Sequence, residues 1–125
     1  MFALVHGAWH GAWAWDALIP ELEARGHRVV APDLPCDNVD AGTAEYAGVV
    51  IEALDGSDDA IVVGHSLGGM TIPLVPARMH VYLCAYVPQP DRALSDGAQS
   101  LDFAGFSRLL ESLRRLAGPL GKEIN

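Results

Sequence analysis

The residues best suited to covalent chemistry lie in the run Gly64-His65-Ser66-Leu67-Gly68. A serine in a Gly-x-Ser-x-Gly pattern, between an apolar strand and a helix, is typical of a nucleophile elbow. This sharp turn presents the hydroxyl for attack on a carbonyl carbon, and strand and helix approach so closely that flanking Cβ atoms have no room. Gly64 and Gly68 meet that requirement, which favours acyl transfer at Ser66. The alternative is a glycine-rich turn without a catalytic role.

Two buried strands are expected to position the chemistry. Apolar, β-branched runs at residues 2–5 and 60–63 are typical of strands covered on both faces. The first strand leads into a glycine-punctuated loop, residues 6–13, and the second leads into the serine turn. In a parallel sheet of order 2-1-3-4 these strands are neighbours, and loops at their carboxyl ends meet at the switch point. We therefore expect the two loops to form one site.

Alternation of strand-like and helix-like patterns indicates the fold class. It predicts an α/β fold, a three-layer α/β/α domain with a parallel sheet of order 2-1-3-4 and right-handed crossovers. The predicted strands are residues 2–5, 28–31, 60–63 and 81–87. The predicted helices are residues 14–25 ended by Gly26, residues 43–54 capped by Thr43, about three turns after Ser66 that Pro73 and Pro76 kink or shorten, and residues 103–117.

Composition excludes several classes of function. The 125 residues, half of them hydrophobic, suffice for one globular domain. A net charge of −8 disfavours nucleic acid and anionic membranes as partners. Without a membrane-spanning run or a leader pattern, the sequence predicts a cytoplasmic protein that acts on a small molecule without a cofactor. The two cysteines predict neither a disulfide nor a metal site, and Cys84 is expected to be buried.

With residues 6–13 and the serine turn both in view, the chain resembles the α/β-hydrolase superfamily. Within it the chain is most similar to the group of plant methyl-ester esterases and hydroxynitrile lyases, from residue 2 to about residue 90. The resemblance implies that Ser66 is the nucleophile and that the backbone N–H groups of Ala8 and Leu67 form the oxyanion hole. Lyases of this group carry a threonine directly after the first histidine, where this chain has Gly7. An esterase acting on small carboxylic esters is therefore favoured over a lyase.

The chain departs from the family in lacking a recognisable catalytic acid and catalytic histidine. Residues 1–90 correspond to a core sheet with its helices, and residues 91–125 resemble the start of a lid within one partial domain. Asp33 is interpreted as structural, and Asp91 as a solvated loop residue rather than the triad acid. Two functions stay open: an esterase-type serine hydrolase or its amino-terminal half, and a non-catalytic ligand-binding or assembly remnant.

Five histidines are candidates for the missing base. His27 and His80 precede their strands, so the length of a strand, roughly 20 Å, separates them from the serine. His65 should diverge from its neighbour on the tight turn, and His6 is expected to fix its loop through hydrogen bonds. His10 is the best of the candidates, because its loop can overhang the site. His6 and His10 lack a third ligand at metal spacing, so no metal site is predicted.

Three tryptophans follow the first strand, and they have two interpretations. Trp9, Trp13 and Trp15 could line an acyl pocket, or Trp13 and Trp15 could pack against the sheet at the start of a helix. His10 and Trp9 are the predicted residues of a substrate pocket.

The fourth predicted strand, residues 81–87, has no polar face and is patterned as an interior strand. No fifth strand pattern follows to pair with its outer edge, and no lysine, proline or glycine inside it discourages pairing with another chain. We therefore expect self-association, or association with a complementary fragment, through this edge.

Overall fold

The computed structural model describes residues 1–88, and a four-stranded parallel sheet forms the centre of this part of the chain. Its strands are β1 (Phe2–Val5), β2 (Val29–Val30), β3 (Ile61–His65) and β4 (Met79–Leu83). Two α-helices, α1 (Ile19–Glu23) and α2 (Thr43–Leu54), and three 3₁₀ helices, Ala12–Trp15, Ser66–Met70 and Ile72–Leu74, surround it. The predicted helix at residues 103–117 and Asp91 lie outside the described residues.

The sheet has the order β2-β1-β3-β4, which confirms the predicted fold class and topology. Its register aligns Val5 with Gly64 and His65 with Leu83, so β1, β3 and β4 end at the same edge. The loops that leave β1 and β3 therefore start side by side, as expected for neighbouring strands at a switch point.

Alternate side chains of the strands build a core on each face of the sheet. On one face, Ala3, Val5 and Val62 pack with α2, whose buried residues are Ala47, Val50 and Leu54. On the other face, Leu4 and Val63 pack with Trp15, and residues of α1 complete the layer. The two faces make the three-layer arrangement predicted from the alternating pattern.

The helices differ from prediction where proline or a capping group decides the boundary. The helix predicted at residues 14–25 is a 3₁₀ turn followed by α1, because Pro20 has no N–H to donate and fits only the first turn of a helix. The bounds of α2 agree with prediction, but Gly42 is its N-cap rather than Thr43. The Glu45 carboxylate accepts the Gly42 N–H at 2.7 Å and so closes the helix start.

Two predictions after Ser66 need correction. The expected three-turn helix is two short 3₁₀ segments, because Pro73 cannot continue a helical ladder; the predicted shortening is thereby confirmed. Strand β4 ends at Leu83 instead of Val87, because Cys84 turns the backbone to φ +45°. Cys84 is exposed, contrary to the expected burial.

Strand β4 forms one edge of the sheet among the described residues. The Arg78 N–H donates to the Ala60 carbonyl at 2.9 Å, so alternate residues along β4 turn their backbone groups toward β3. The intervening residues, Met79, Val81 and Leu83, turn theirs away from β3. Met79 and Leu83 also have exposed side chains. The expected open edge is therefore present within residues 1–88.

Candidate active site

The serine turn has the geometry of a nucleophile elbow. Ser66 follows β3 directly with φ +53°, a left-handed conformation that non-glycine residues rarely adopt. A Cβ at Gly64 would lie 2.9 Å from the Gly68 carbonyl carbon and oxygen. A Cβ at Gly68 would lie 2.7 Å from the Val5 carbonyl oxygen. Both glycines are therefore required by close backbone approach, as the Gly-x-Ser-x-Gly spacing predicts.

The loop after β1 lies directly against this turn. A Cβ at Gly7 would be 2.9 Å from the Ser66 Cβ and 3.4 Å from its Oγ, so the two loops meet as expected. Gly7 and Ser66 are the residues in contact, and Ala8 and Leu67 are the next residues along the chain. Their assignment as the oxyanion hole stays a prediction.

Two side-chain hydrogen bonds fasten the beginning of the loop. His6 is buried, its Nδ1–H donates to the Gly7 carbonyl at 2.9 Å, and its Nε2 accepts the Leu34 N–H at 3.0 Å. His6 thus fixes the loop, as the sequence predicts. Because both ring nitrogens are engaged, His6 has no site left to accept the Ser66 proton.

Asp33 fastens the other end of the same loop. Its Oδ1 accepts the Ala12 N–H at 2.7 Å. A Cβ at Gly11 would lie 2.9 Å from that oxygen, so the loop passes close to the carboxylate. The segment after β2 therefore holds the loop at two points, through Asp33 and through the Leu34 N–H. This contact agrees with the structural interpretation of Asp33.

An aromatic pocket of about 330 Å³ opens beside the elbow. The rings of His10 and His65 stack with centroids 5.7 Å apart and planes 27° apart. Trp13 meets His10 edge-on at 5.3 Å, and Trp15 meets His65 edge-on at 6.3 Å. Ala14 and Leu83 complete the lining.

The tryptophans that the sequence analysis grouped together have different environments. Trp9 is 87% exposed and is not among the residues that line the pocket. Trp13, which is 62% exposed, lines it, and Trp15 both packs against the sheet and lines the pocket. The interpretation that Trp15 packs against the sheet is therefore confirmed, and the interpretation that it lines an acyl pocket stays a prediction. Trp15 Nε1 is buried and has no hydrogen-bond partner among residues 1–88.

No side-chain hydrogen bond to the Ser66 hydroxyl forms within the part of the chain that the structure describes. His10 lies at the pocket, and His65 turns toward Trp15 and His10. His80 lies inside β4 rather than before it, and its Nε2 contacts the Val75 carbonyl at 2.9 Å. None of these histidines activates the serine in the geometry observed.

The segment after β4 crosses the elbow, and sequence reasoning missed it. The Tyr86 N–H donates to the Ser66 carbonyl at 3.0 Å, and a Cβ at Gly69 would collide with the Tyr86 carbonyl oxygen. Trp9 and Cys84, like Ser66, have positive φ, so strained residues follow three of the four strands, β1, β3 and β4, at this edge. Such clustering is typical of functional sites. Gly69 is the sequence feature that could have predicted this crossing, because a second glycine beside Gly68 leaves room for another backbone segment.

Two side chains of α2, Glu45 and Tyr46, have shifted pKa values. Backbone N–H groups of Gly42 and Glu45 hold the pKa of the Glu45 carboxyl below its ordinary value of 4.5. Burial raises the pKa of the Tyr46 phenol, and its hydrogen bond with the Cys36 thiol adds to that effect.

Among residues 1–88, no group of three or more potential ligands could hold a metal ion, and no helix is long and apolar enough to cross a membrane.

A parallel sheet of this order, with a serine elbow after one strand and a glycine loop after its neighbour, defines a class of protein. The chain belongs to the alpha/beta hydrolase family, whose sequence model matches residues 2–123.

The chain is similar to several named plant proteins and to esterases of known structure. Salicylic acid-binding protein 2 of Nicotiana tabacum and alpha-hydroxynitrile lyase of Arabidopsis thaliana are each 39% identical to the chain over 103 residues. These alignments cover 70% of this chain and 40% of each relative. The crystal structure of polyneuridine aldehyde esterase is similar with a TM-score of 0.69 and 28% identity, over 82% of this chain and 47% of that one. The chain thus spans less than half the length of these relatives.

Proposed function

We propose that the chain carries the nucleophile and oxyanion loop of a serine hydrolase that acts on small carboxylic esters. The observation that carries this proposal is Ser66 at φ +53° at the end of β3, with Gly7 of the neighbouring loop against it. Esterases and methylesterases among the similar proteins support the same reaction class. The comparisons give no comparable support to a non-catalytic remnant.

In the proposed reaction, the Ser66 Oγ attacks the ester carbonyl carbon. The oxyanion that develops accepts hydrogen bonds from the backbone N–H groups of Ala8 and Leu67. The alcohol leaves with a proton, and water then hydrolyses the acyl-serine ester. The Ser66 proton must pass to a base, and no residue among 1–88 is hydrogen-bonded to receive it. We therefore expect slow turnover by this chain.

An esterase is preferred over a lyase because of the space around Gly7. Alpha-hydroxynitrile lyase is 39% identical to the chain and Methylesterase 3 of Arabidopsis thaliana is 34% identical, so identity alone does not favour an esterase. A side chain at residue 7 would begin 2.9 Å from the Ser66 Cβ, so this arrangement favours glycine and supplies no hydroxyl there.

Covalent labelling of the serine tests the proposal. The chain is incubated with a fluorophosphonate and, separately, with p-nitrophenyl acetate, and the adducts are located by intact and peptide mass spectrometry. We expect slow modification at Ser66 that is absent in Ser66→Ala, with both proteins equally folded by circular dichroism. Labelling that persists in Ser66→Ala, or that never occurs at Ser66, would contradict the proposal.

A further inference from the structure

We infer that the open edge of β4 pairs with the same edge of a second copy of this chain, antiparallel to it about a two-fold axis at Val81. This association goes beyond the proposed function and does not depend on it. Met79, Val81 and Leu83 turn their backbone groups away from β3, and among residues 1–88 no other strand pairs with this edge. Unpaired N–H and C=O groups along a strand edge are a ready template for a strand of another chain.

The segment that follows β4 leaves this edge accessible. Strand β4 is five residues long, and at Cys84 the backbone takes φ +45° and departs from the strand. The Tyr86 N–H then donates to the Ser66 carbonyl at 3.0 Å, so this segment crosses the elbow on the side of β3. A partner strand can therefore reach the outer edge of β4 without displacing residues 84–88.

The spacing along β4 is symmetric about Val81. A two-fold axis there places Val81 opposite the partner's Val81, and Met79 opposite the partner's Leu83. Each of these pairs can exchange two N–H···O bonds, as hydrogen-bonded pairs of antiparallel strands do. An axis one residue to either side would leave one end of the edge unpaired, so the axis at Val81 uses the whole strand. Such an interface is isologous and closes at two copies.

The exposed side chains of this edge match each other across the axis. Met79 and Leu83 are 52% and 44% exposed. Directly opposite residues of antiparallel strands lie on the same face of the sheet, with Cβ atoms about 4.5–5.5 Å apart. The pairing therefore covers two exposed apolar side chains on each copy. It also brings the partner's Met79 beside Leu83, which lines the pocket at the elbow.

The charge distribution favours an uncharged strand as the partner. Strand β4 contains no carboxylate, lysine or arginine, although the whole chain has a net charge of −8. A basic peptide would be attracted to the chain as a whole but would meet no carboxylate within β4. A second β4 is an uncharged apolar strand of matching length. Two copies still repel each other through their net charge, so added salt should strengthen the association.

Sedimentation equilibrium of the full chain over a range of concentrations tests the interface. Met79→Lys places a charge opposite the partner's Leu83 twice in each dimer, at a residue that does not line the pocket. Ile51→Lys is the matched control, because Ile51 is 42% exposed but lies on α2, which packs against β1. We expect a monomer–dimer equilibrium that Ile51→Lys leaves unchanged. Met79→Lys should raise the dissociation constant by about tenfold.

A disulfide reports the position of the axis. Val81→Cys, made together with Cys36→Ser and Cys84→Ser, places two thiols opposite each other. The Cα atoms of a hydrogen-bonded antiparallel pair are about 5.5 Å apart, which is within the range that a disulfide spans. Mild oxidation should give a covalent dimer from Val81→Cys and none from Ile51→Cys in the same background. Amide exchange at Val81 in the unsubstituted chain needs no variant, and it should slow as the protein concentration rises.

Failure of the inference has distinct signatures. A chain that stays monomeric at every concentration would overturn it, and slow exchange at Val81 in that monomer would show that the chain's own residues cover the edge. A dimer that Met79→Lys leaves unchanged, or exchange at Val81 that does not respond to concentration, would place the interface on another surface. Assemblies larger than a dimer would contradict the closed two-fold arrangement.

Discussion

Replacing Gly68 by alanine tests whether close backbone approach at the elbow holds the fold. The new Cβ would lie 2.7 Å from the Val5 carbonyl oxygen and 3.0 Å from that of His6, both at the end of a central strand. Neither oxygen belongs to a flexible side chain, so the clash can be relieved only by moving backbone. Overpacking of this kind costs about 1–3 kcal/mol in the free energy of unfolding.

Gly48→Ala is the matched control, because Gly48 lies inside α2 and a Cβ there would meet nothing within 4 Å. Alanine in a helix interior is more stable than glycine by about 0.5–1 kcal/mol. The same chemical change should therefore have opposite signs at the two positions. The two variants should differ by about 2–3 kcal/mol in the free energy of unfolding.

Urea unfolding followed by circular dichroism measures both changes. With a slope of about 1–1.5 kcal/mol per molar urea for a small domain, the two midpoints should differ by about 2 M. A Gly68→Ala midpoint equal to or above that of the wild type would refute the steric reasoning. Lower midpoints for both variants would show that the α2 position is also constrained and that the control was wrongly chosen.

Three further predictions follow from the site, α2 and β4. Turnover of p-nitrophenyl acetate should be slow and lost in Ser66→Ala but retained in His10→Ala; robust turnover lost in both folded variants would make His10 a substitute base. The pKa of Glu45 is lowered because backbone N–H groups bind its ionised carboxylate, so Glu45 stabilises the fold at pH values above its ordinary pKa of 4.5. This contribution disappears as the pH falls through the lower pKa of the folded state. Glu45→Gln should therefore unfold at a lower urea concentration than the wild type at pH 7, and it should lose less stability than the wild type between pH 7 and pH 3. A difference between the two urea midpoints that stays the same from pH 7 to pH 3 would exclude this linkage. The open edge of β4 should make the chain dimeric, aggregated or dependent on a complementary fragment. Light scattering over a dilution series measures this association. A stable monomer at micromolar concentration, with slow amide exchange at Val81, would reject the prediction.

Much of the fold was predictable because its signals are local. Apolar runs broken by glycine and proline indicate parallel strands, and their order along the chain leaves few arrangements once crossovers are right-handed. The Gly-x-Ser-x-Gly spacing predicted close backbone contacts at Gly64 and Gly68, and both contacts are present. Boundaries were less predictable, because Pro20 and the Glu45 side chain decide where two helices begin.

The sequence by itself determined that Ser66 follows a buried strand and that a glycine loop follows its neighbour, since both depend on residue type and spacing. Only the tertiary structure decided which aromatic residues converge. Trp13 turns toward His10 while Trp9, four residues earlier, faces solvent. Leu83, at the end of β4, lines the same pocket as Trp13 and His10. No periodicity encodes these choices, because side chains from separate loops meet only after strand register and loop hydrogen bonds have fixed their directions.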